Sequence, residues 1–410
     1  MKTFGNRVGI QGLHTYSIVA MISLLLFVYC SDNLEQIVHS PAEFDEQETT
    51  FICWNPDFQK TIIALTAEIA KRDHVTLFYN ERNQKVEKLR QLFGRYRINL
   101  DNIEFAPFNL EQDNVWIRDY GPVFLHDKDG NERVVSFQYI HEFNQEYNMF
   151  GEHYSSKMKL AFMRSKMFSE GGGREVNGKG TIILNESYER SINPDLSLAE
   201  IENEYRLNLH IKNFIWLKRG IPQDDSFDNG PVLENIYGNG VNGHIDEFCR
   251  FADANTILLA QVDPADLQRD PFYELIHQRL EESYDILRNA RDQDGKPFKI
   301  IRVPQAPVIF DEGQYQGENI YYTPVTSYLN FVLTNNSVVV PSYYGNGDPA
   351  YIKEKDESAK RIFQEVFKNR KVVMMNSLDL NYRGGGLHCI TSYKPKPKKK
   401  KNFLNPFPKG

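Results

Sequence analysis

One order of secondary-structure elements recurs along this 410-residue chain and constrains the fold more than any other feature. A short segment precedes a Gly or Asn turn, a β-branched strand, an amphipathic helix and a further apolar strand. Three copies are evident, over residues 170–217, 244–303 and 328–375. The order of elements repeats, whereas the letters do not. Such repetition favours a propeller-like or stacked α/β architecture, although an ordinary α/β domain with hairpins also predicts this alternation.

Composition narrows the class of protein. Hydrophobic residues make up 41% of the chain and charged residues 25%, which is typical of a globular protein. A net charge of −7 argues against general nucleic-acid binding. The four cysteines, at positions 30, 53, 249 and 389, are too few for a disulfide scaffold and show no paired metal-ligand spacing. We expect Cys53 and Cys249 to be buried thiols, because each lies close to an aromatic residue.

The N-terminus predicts export. Residues 18–29 are an apolar run of twelve residues behind Lys2 and Arg7. This length fits a signal peptide and falls short of the roughly 20 residues that span a bilayer. Cys30 closes the run before a polar, acidic stretch, so the segment resembles a bacterial lipoprotein signal. We therefore expect a lipid on Cys30 and a membrane-anchored or periplasmic protein. The alternative is an uncleaved leader with an incidental cysteine on a cytoplasmic protein.

The chain divides into four predicted regions. Residues 1–30 form the signal peptide, and residues 31–48 form a polar tether. Residues 49–393 form the folded domain, in which two helix–strand pairs over residues 59–108 precede the three copies. Residues 394–410 form a lysine- and proline-rich tail that is too charged to fold and is expected to stay disordered.

Unusual polar residues lie where these copies begin. Glu170, His244 and Asn330 each open the first strand of a copy. If the copies are arranged around an axis, the residues that open them lie close together at its centre. We expect Asp119 and Cys389 to lie at the same centre. Three glycines shortly before Cys389 would let the backbone approach a ligand closely.

Each of these residues also has a plain structural interpretation. Asp119, next to an arginine, could form a salt bridge at a strand end, and a lone cysteine such as Cys389 is more often a buried thiol. His244 and Asp246 are two residues apart, so both point to one face if they lie on a strand. His388 would then point away from Cys389, and we interpret it as structural or as tuning the loop.

A centre of carboxylates, one His, one Asn and one Cys has few chemical uses. One thiolate and one imidazole match no closed zinc pattern, so no metal is predicted. A cysteine protease needs one oriented base and would leave the extra carboxylates without a role. A guanidinium group suits several carboxylates because it is planar, cationic and rich in donors. A thiolate could attack its carbon, provided that His or the bound cation lowers the pKa of the thiol.

Five ordered motifs support this interpretation. They are WIRDYGP, EGG followed by VNGKGTIIL, NGHIDEF, SYLNFVLTNNSVVVP and GGGLHCIT, which together run from Trp116 to Thr391. They resemble the successive signature blocks of the agmatine deiminase and bacterial-type peptidyl-arginine deiminase family. That resemblance implies the pentein fold, a five-bladed α/β propeller with pseudo-fivefold symmetry.

The resemblance also implies a cysteine mechanism. Cys389 would attack the guanidinium carbon, and His244 would protonate the departing ammonia and later activate water. Asp119 and Asp246 would grip the two sides of the guanidinium. The covalent thiouronium intermediate would then be hydrolysed to a ureido product, N-carbamoylputrescine from agmatine or citrulline from arginine. Neither a metal nor an organic cofactor would be required.

Further residues would support this chemistry. The resemblance implies that Glu170 orients the histidine or the substrate and that Asn330 supports the loop of the nucleophile. Trp116 and Arg118 would be supports, with Arg118 turned away from a cationic substrate. The alternative to an enzyme is an exported guanidinium-binding pentein lipoprotein with little or no catalysis.

One segment departs from the family pattern. Residues 218–243, just before His244, form a longer loop than usual, which we expect to shape the mouth of the site. The loop carries four acids, Asp224, Asp225, Asp228 and Glu234. These acids could bind the amine of agmatine or a basic peptide, or they could simply be solvated. The sequence leaves agmatine, free arginine and peptidyl-arginine open as substrates.

Overall fold

The computed structural model describes residues 37–108, 114–127, 129–139 and 146–397. The predicted signal peptide with Cys30, and residues 398–410 of the predicted tail, lie outside these described residues. Within the described ranges, no helix combines the length and the apolar character that crossing a bilayer requires.

The helices and strands alternate along the described part of the chain. The strands are β1 Ile37–His39, β2 Gln47–Cys53, β3 Val75–Tyr79, β4 Ile103–Pro107, β5 Val123–Asp127, β6 Glu132–Gln138, β7 Ala161–Phe168, β8 Arg174–Val176, β9 Thr181–Asn185, β10 Asn213–Leu217, β11 Ile236–Gly238, β12 Cys249–Asp253, β13 Thr256–Gln261, β14 Lys299–Pro304, β15 Asp311–Tyr315, β16 Glu318–Thr323, β17 Val332–Leu333, β18 Ser337–Ser342, β19 Lys371–Asn376 and β20 Thr391–Pro395. The helices are α1 Gln59–Ile69, α2 Val86–Arg95, α3 Ile117–Tyr120, α4 Phe150–Met158, α5 Glu186–Ile192, α6 Leu198–Leu209, α7 Phe272–Asn289, α8 Ala350–Val366 and α9 Leu378–Asn381.

Five sheets share one pairing pattern. In each sheet a first strand pairs antiparallel with a second, and the second pairs in parallel with a third after a helical crossover. The five sets are β5–β6–β7, β8–β9–β10, β12–β13–β14, β17–β18–β19 and β20–β2–β3. The last set joins β20, the final described strand, to β2, with Phe51 of β2 opposite Ser392 of β20. The predicted five-bladed α/β propeller is therefore confirmed, and the three predicted copies are three of its blades.

The sequence explains why the blades pack. The middle strands β9 and β13 are apolar runs of Ile and Leu that are buried along almost their whole length, as expected of strands covered on both faces. Helix α7 buries Phe272, Ile276 and Leu280 on one stripe at helical spacing. Helix α6 begins with a capping box in which Ser197 and Glu200 satisfy each other's backbone N–H groups.

Several predicted elements begin elsewhere. The third-copy helix, predicted over residues 358–367, begins at Ala350, because its first turns bury the polar side chains of Lys355 and Asp356 and so hide the apolar stripe. The prediction that Glu170, His244 and Asn330 each open a strand is wrong, because β8 starts at Arg174 and β17 at Val332. His244 caps a 3-10 turn, Ile245–Glu247, and β12 starts only at Cys249.

Both predicted boundaries of the folded domain require correction. Strand β1 pairs with β5, and Ala42 and Gln47 are buried, so residues 37–48 belong to the folded body and not to a tether. At the other end, Lys394 lies in β20, where it is buried and pairs with Glu48. The polar character of these segments concealed their burial, because their charged groups are paired.

The 218–243 segment folds onto the rim of the propeller. Its strand β11 joins the hairpin β15–β16 in a sixth sheet outside the fivefold pattern. Asn239 of this segment donates to the carbonyl of Tyr382 at 3.1 Å, and its own carbonyl lies beside Gly384. The added sheet therefore adjoins the glycine-rich loop that leads to Cys389, as predicted for a segment near the mouth of the site.

Candidate active site

The turns that precede the first strands meet around Gly172. Its backbone N–H donates to Oδ1 of Asp119 at 2.9 Å. A Cβ atom at this position would lie 2.5 Å from Nδ1 of His244 and 3.1 Å from both carboxylate oxygens of Asp246. Only glycine fits between these three side chains. The structure thus brings together residues that are far apart in the sequence, as the converging-copies argument predicted.

Cys389 lies in a buried cluster with Asn330. The Nδ2 group of Asn330 donates to Sγ of Cys389 at 3.2 Å and to Oε1 of Glu247 at 2.7 Å. The Oδ1 atom of Asn330 accepts the backbone N–H of His388 at 2.8 Å. One amide therefore holds the sulfur and the backbone of its loop, which is the supporting position expected for Asn330.

The glycines before Cys389 allow close packing of this loop. A Cβ at Gly385 would lie 2.6 Å from the ring of Trp116, and one at Gly386 would lie 2.4 Å from Oδ1 of Asn330. Gly384 has a φ of +84°, a conformation that favours glycine. Trp116 therefore covers the loop that carries the sulfur, in the supporting place expected for it.

His244 is held from several sides. Its Nε2 atom lies 3.0 Å from Oε2 of Glu170 and 3.0 Å from the hydroxyl of Tyr188, which itself donates to Glu170 at 2.5 Å. Its Nδ1 atom faces Oδ1 of Asp119 at 4.0 Å. Burial disfavours the charged ring, but the surrounding charges of Asp119, Glu170 and Asp246 raise the pKa of His244 to about 10. The ring is therefore a proton donor at neutral pH.

The two aspartates differ in their surroundings. Burial raises the pKa of Asp119 to about 7, with Glu170 and Asp246 adding to the shift against the attraction of His244. Burial would also raise the pKa of Asp246, but the hydrogen bond and charge of His388 lower it below its ordinary value. Oδ2 of Asp246 lies 2.6 Å from Nδ1 of His388, whereas Oδ1 has no hydrogen-bond partner among the described residues.

The sulfur faces negative charge. Cys389 Sγ lies 3.8 Å from a carboxylate oxygen of Asp246 and 3.8 Å from one of Glu247. Burial, followed by the charges of Asp246, Glu247 and Asp119, raises the pKa of the Cys389 thiol well above its ordinary value. The unliganded site therefore holds a thiol, and only a cation placed among these carboxylates would favour the thiolate.

Glu247 and Tyr188 are site residues that sequence reasoning missed. In the strand assumed there, Glu247 would point away from Asp246, but the 3-10 turn brings both carboxyl groups beside Cys389. Burial, with the charges of Asp246 and Asp224, raises the pKa of Glu247 well above its ordinary value. Nothing in the sequence marked Tyr188, because it lies within α5 and reaches the site through its hydroxyl.

Arg118 and His388 lie behind the site. Arg118 pairs with Glu43 at 3.2 Å, and its Nε donates to the backbone carbonyl of His388 at 3.4 Å. Its supporting role stays a prediction. The ring of His388 is buried and lies 2.6 Å from Oδ2 of Asp246, the oxygen that also lies 3.8 Å from Cys389 Sγ, so both side chains reach one carboxylate oxygen.

The acids of the 218–243 segment divide into two groups. Asp224 is buried and accepts the backbone N–H groups of Gly243 at 2.9 Å and His244 at 2.6 Å, so it holds the turn that carries His244. Asp225 forms two hydrogen bonds of 2.7 Å with Arg279. These two acids are therefore engaged within the protein, whereas Asp228 and Glu234 are exposed.

Two triads have donor atoms within 4.8 Å of one another, as metal ligands would: Asp119 with Glu170 and His244, and Asp246 with Glu247 and Cys389. Neither is a set that zinc commonly takes. In the first triad the donor atoms of Glu170 and His244 already bond each other. The donor chemistry therefore suits a planar cation better, and the absence of a metal stays a prediction.

Solved structures share this fold. The agmatine deiminase of Enterococcus faecalis is 22% identical, covers 88% of this chain and 96% of its own, and superposes with a TM-score of 0.70. An agmatine deiminase of C. jejuni with substrate bound is 20% identical over the same shares, with a TM-score of 0.66. At these identities the likeness establishes the fold alone.

Sequence relatives extend the comparison. The agmatine deiminase of Pseudomonas fluorescens (strain SBW25) is 26% identical over 393 residues, which cover 88% of this chain and 96% of that protein. The family model of the Porphyromonas-type peptidyl-arginine deiminases matches residues 39–395, almost the whole folded body. This chain therefore belongs to the Porphyromonas-type peptidyl-arginine deiminase family.

Proposed function

We propose that this protein is a guanidine deiminase, a hydrolase of C–N bonds in linear amidines that converts a guanidine substrate and water into a ureido product and ammonia. One observation carries the proposal. Asp119, the protonated imidazole of His244 and Asp246 meet around Gly172, and the buried sulfur of Cys389 lies beside Asp246, a set of groups complementary to a guanidinium cation. The names of the relatives support the same reaction class.

Binding and ionisation are coupled in this mechanism. The guanidinium lies between Asp119 and Asp246, each of which accepts its N–H groups. Its positive charge favours ionised Asp119 and lowers the pKa of the Cys389 thiol, whose proton passes to water. The bound cation therefore generates the nucleophile that attacks it.

Two displacements at one carbon complete the reaction. The thiolate of Cys389 adds to the guanidinium carbon, and His244 gives its proton to the departing nitrogen, which leaves as ammonia. The product of this step is a thiouronium bound to Cys389. Neutral His244 then takes a proton from water as the water oxygen attacks the same carbon. The C–S bond breaks, and the ureido product is released with the cysteine restored.

The substrate we propose to test first is agmatine. The site lies inside the propeller, with Cys389 only 4% exposed, which suits a slender alkyl guanidine. The relatives named above are agmatine deiminases, whereas the family is named for peptidyl-arginine. Free arginine and an arginine-containing peptide are therefore the necessary comparisons.

Replacing the nucleophile is the first test. Purified protein should release ammonia and ureido product in equal amounts from at least one of agmatine, free arginine and an N-acylated arginine peptide. Cys389→Ser should lower kcat by about a thousandfold or more and leave the circular dichroism spectrum unchanged, because the covalent route is lost. Cys249→Ala, which alters a buried thiol of the hydrophobic core, should stay active. Full activity of Cys389→Ser would remove Cys389 from its role.

Absence of any turnover by the wild-type protein would instead favour the alternative, a guanidinium-binding protein without catalysis. Calorimetric binding of the same three compounds would identify that outcome.

The pH profile is the second test. Substrate binding requires ionised Asp119, whose pKa is raised to about 7, so kcat/KM should rise as pH increases through this value. Proton donation requires protonated His244, whose pKa is raised to about 10, so kcat/KM should fall as pH approaches that value. We expect a bell-shaped dependence of kcat/KM on pH, with its maximum between the pKa values of Asp119 and His244. His153 is exposed and serves as a control, so His153→Asn should leave the pH profile unchanged. Equal activity at pH 5 and at the maximum would contradict these assignments.

We also propose that the protein is exported and anchored through lipidated Cys30, which the apolar run over residues 18–29 supports. In a bacterial host, the wild-type protein should incorporate a radiolabelled fatty acid and fractionate with membranes. Cys30→Ala should lose both properties, whereas Cys53→Ala should retain them because Cys53 lies in β2. A Cys30→Ala protein that still fractionates with membranes would rule out the lipid anchor.

A further inference from the structure

Glu43 lies where several blades meet behind the site. Its Oε2 atom is 3.2 Å from Nη2 of Arg118, 3.0 Å from Nη2 of Arg250 and 2.6 Å from Nε2 of His388. Its Oε1 atom accepts the backbone N–H of Leu333 at 3.3 Å. These four partners come from four different blades. The segment predicted to be a tether therefore places one carboxylate at the centre of the propeller.

His388 connects this carboxylate to the site. Its Nε2 atom lies 2.6 Å from Glu43, and its Nδ1 atom lies 2.6 Å from Oδ2 of Asp246. Each ring nitrogen faces a carboxylate acceptor, so both bonds form when both nitrogens carry hydrogen. The ring is 1% exposed, and its backbone is fixed by Asn330. Glu43, His388 and Asp246 thus form a continuous buried chain of charge-assisted hydrogen bonds.

This chain leaves one oxygen of Asp246 available. His388 occupies Oδ2, while Oδ1 has no hydrogen-bond partner among the described side chains and backbone groups. The backbone of Gly172 packs beside this carboxylate and next to Asp119 and His244, so these three side chains lie around one glycine. Loss of the bond from His388 would free the Asp246 carboxylate to rotate away from this orientation.

The charges behind the site favour the ionised form of Glu43. Burial would raise the pKa of Glu43, but Arg118, His388 and Arg250 hold it well below its usual range. Arg250 also pairs with Glu175, so cations and carboxylates alternate through the interior. His388 therefore lies between the carboxylates of Glu43 and Asp246, and the two arginines beside Glu43 balance its negative charge.

We propose that Glu43 and His388 are positioning residues of the deiminase: Glu43 fixes His388, and His388 holds Asp246 with Oδ1 directed at the guanidinium. The inference rests on the proposed function and assigns a catalytic purpose to the N-terminal segment. A purely structural ion-pair network would have the same contacts. The two readings differ in whether loss of Glu43 weakens substrate binding through His388.

A double-mutant cycle distinguishes them. Glu43→Gln keeps the shape and removes the charge, and His388→Asn retains a donor near Nδ1 but loses the link to Glu43. The control is Glu48→Gln, a carboxylate of the same region that is half-exposed and pairs with Lys394. We expect Glu43→Gln and His388→Asn each to raise KM for the best guanidine substrate by about tenfold or more, and Glu48→Gln to leave it unchanged. Because Glu43 acts through His388, adding Glu43→Gln to His388→Asn should raise KM no further.

Additive effects in this cycle, or a KM of Glu43→Gln equal to that of the control, would overturn the inference while leaving the proposed function intact. Activity lost only through a lower melting temperature, with KM unchanged in the remaining folded enzyme, would also overturn it. Glu43→Asp, which retains the charge, should restore a near-normal KM. If Glu43→Gln fails to fold, His388→Asn decides alone, because a structural role predicts an unchanged KM. Absence of turnover by the wild-type protein would instead remove the proposed function itself.

Discussion

Asp119, Glu170, Asp246 and Glu247 bring four carboxyl groups into a space that water barely reaches, and one histidine ring faces them. An ionised carboxylate in such a place is costly unless a cation or hydrogen-bond donors compensate it. The site responds by protonation, because the pKa values of Asp119, Glu247 and His244 are all raised. Under the proposed function, a guanidinium substrate places a cation between the two aspartates and thereby makes Cys389 nucleophilic.

The propeller fold allows these carboxyl groups to lie close together. Each blade contributes a turn to the centre, so groups distant in sequence meet without any single loop having to carry them. On the side away from the substrate, Glu43, Arg118, Arg250 and His388 pair every charge with an opposite one. On the side of Asp119 and His244, Oδ1 of Asp246 has no hydrogen-bond partner among the described residues. The fold therefore separates a paired ionic interior from the face that we propose to be catalytic.

Much of this could be predicted from the sequence. The repeated order of elements identified three blades, and short polar motifs identified Asp119, His244, Asp246 and Cys389. Failures had a common physical origin in backbone conformation and burial. A 3-10 turn in place of a strand put Glu247 beside the sulfur. Paired charges made buried segments look solvated, as at the N-terminal segment and the first turns of α8. Neither a 3-10 turn nor a pair of buried charges produces a periodic pattern of hydrophobic residues, so the sequence pattern could not predict them.

The central claim is that the bound guanidinium ionises Cys389. It is tested most directly by titrating the thiolate absorbance of the protein, with the Cys389→Ser variant subtracted, in a His244→Gln background that slows turnover. The titration is repeated with a saturating amount of the guanidine that the wild-type protein converts fastest. The account predicts that the bound cation lowers the apparent pKa of the Cys389 thiol by about one pH unit or more. An equal thiol pKa with and without the guanidine would contradict it.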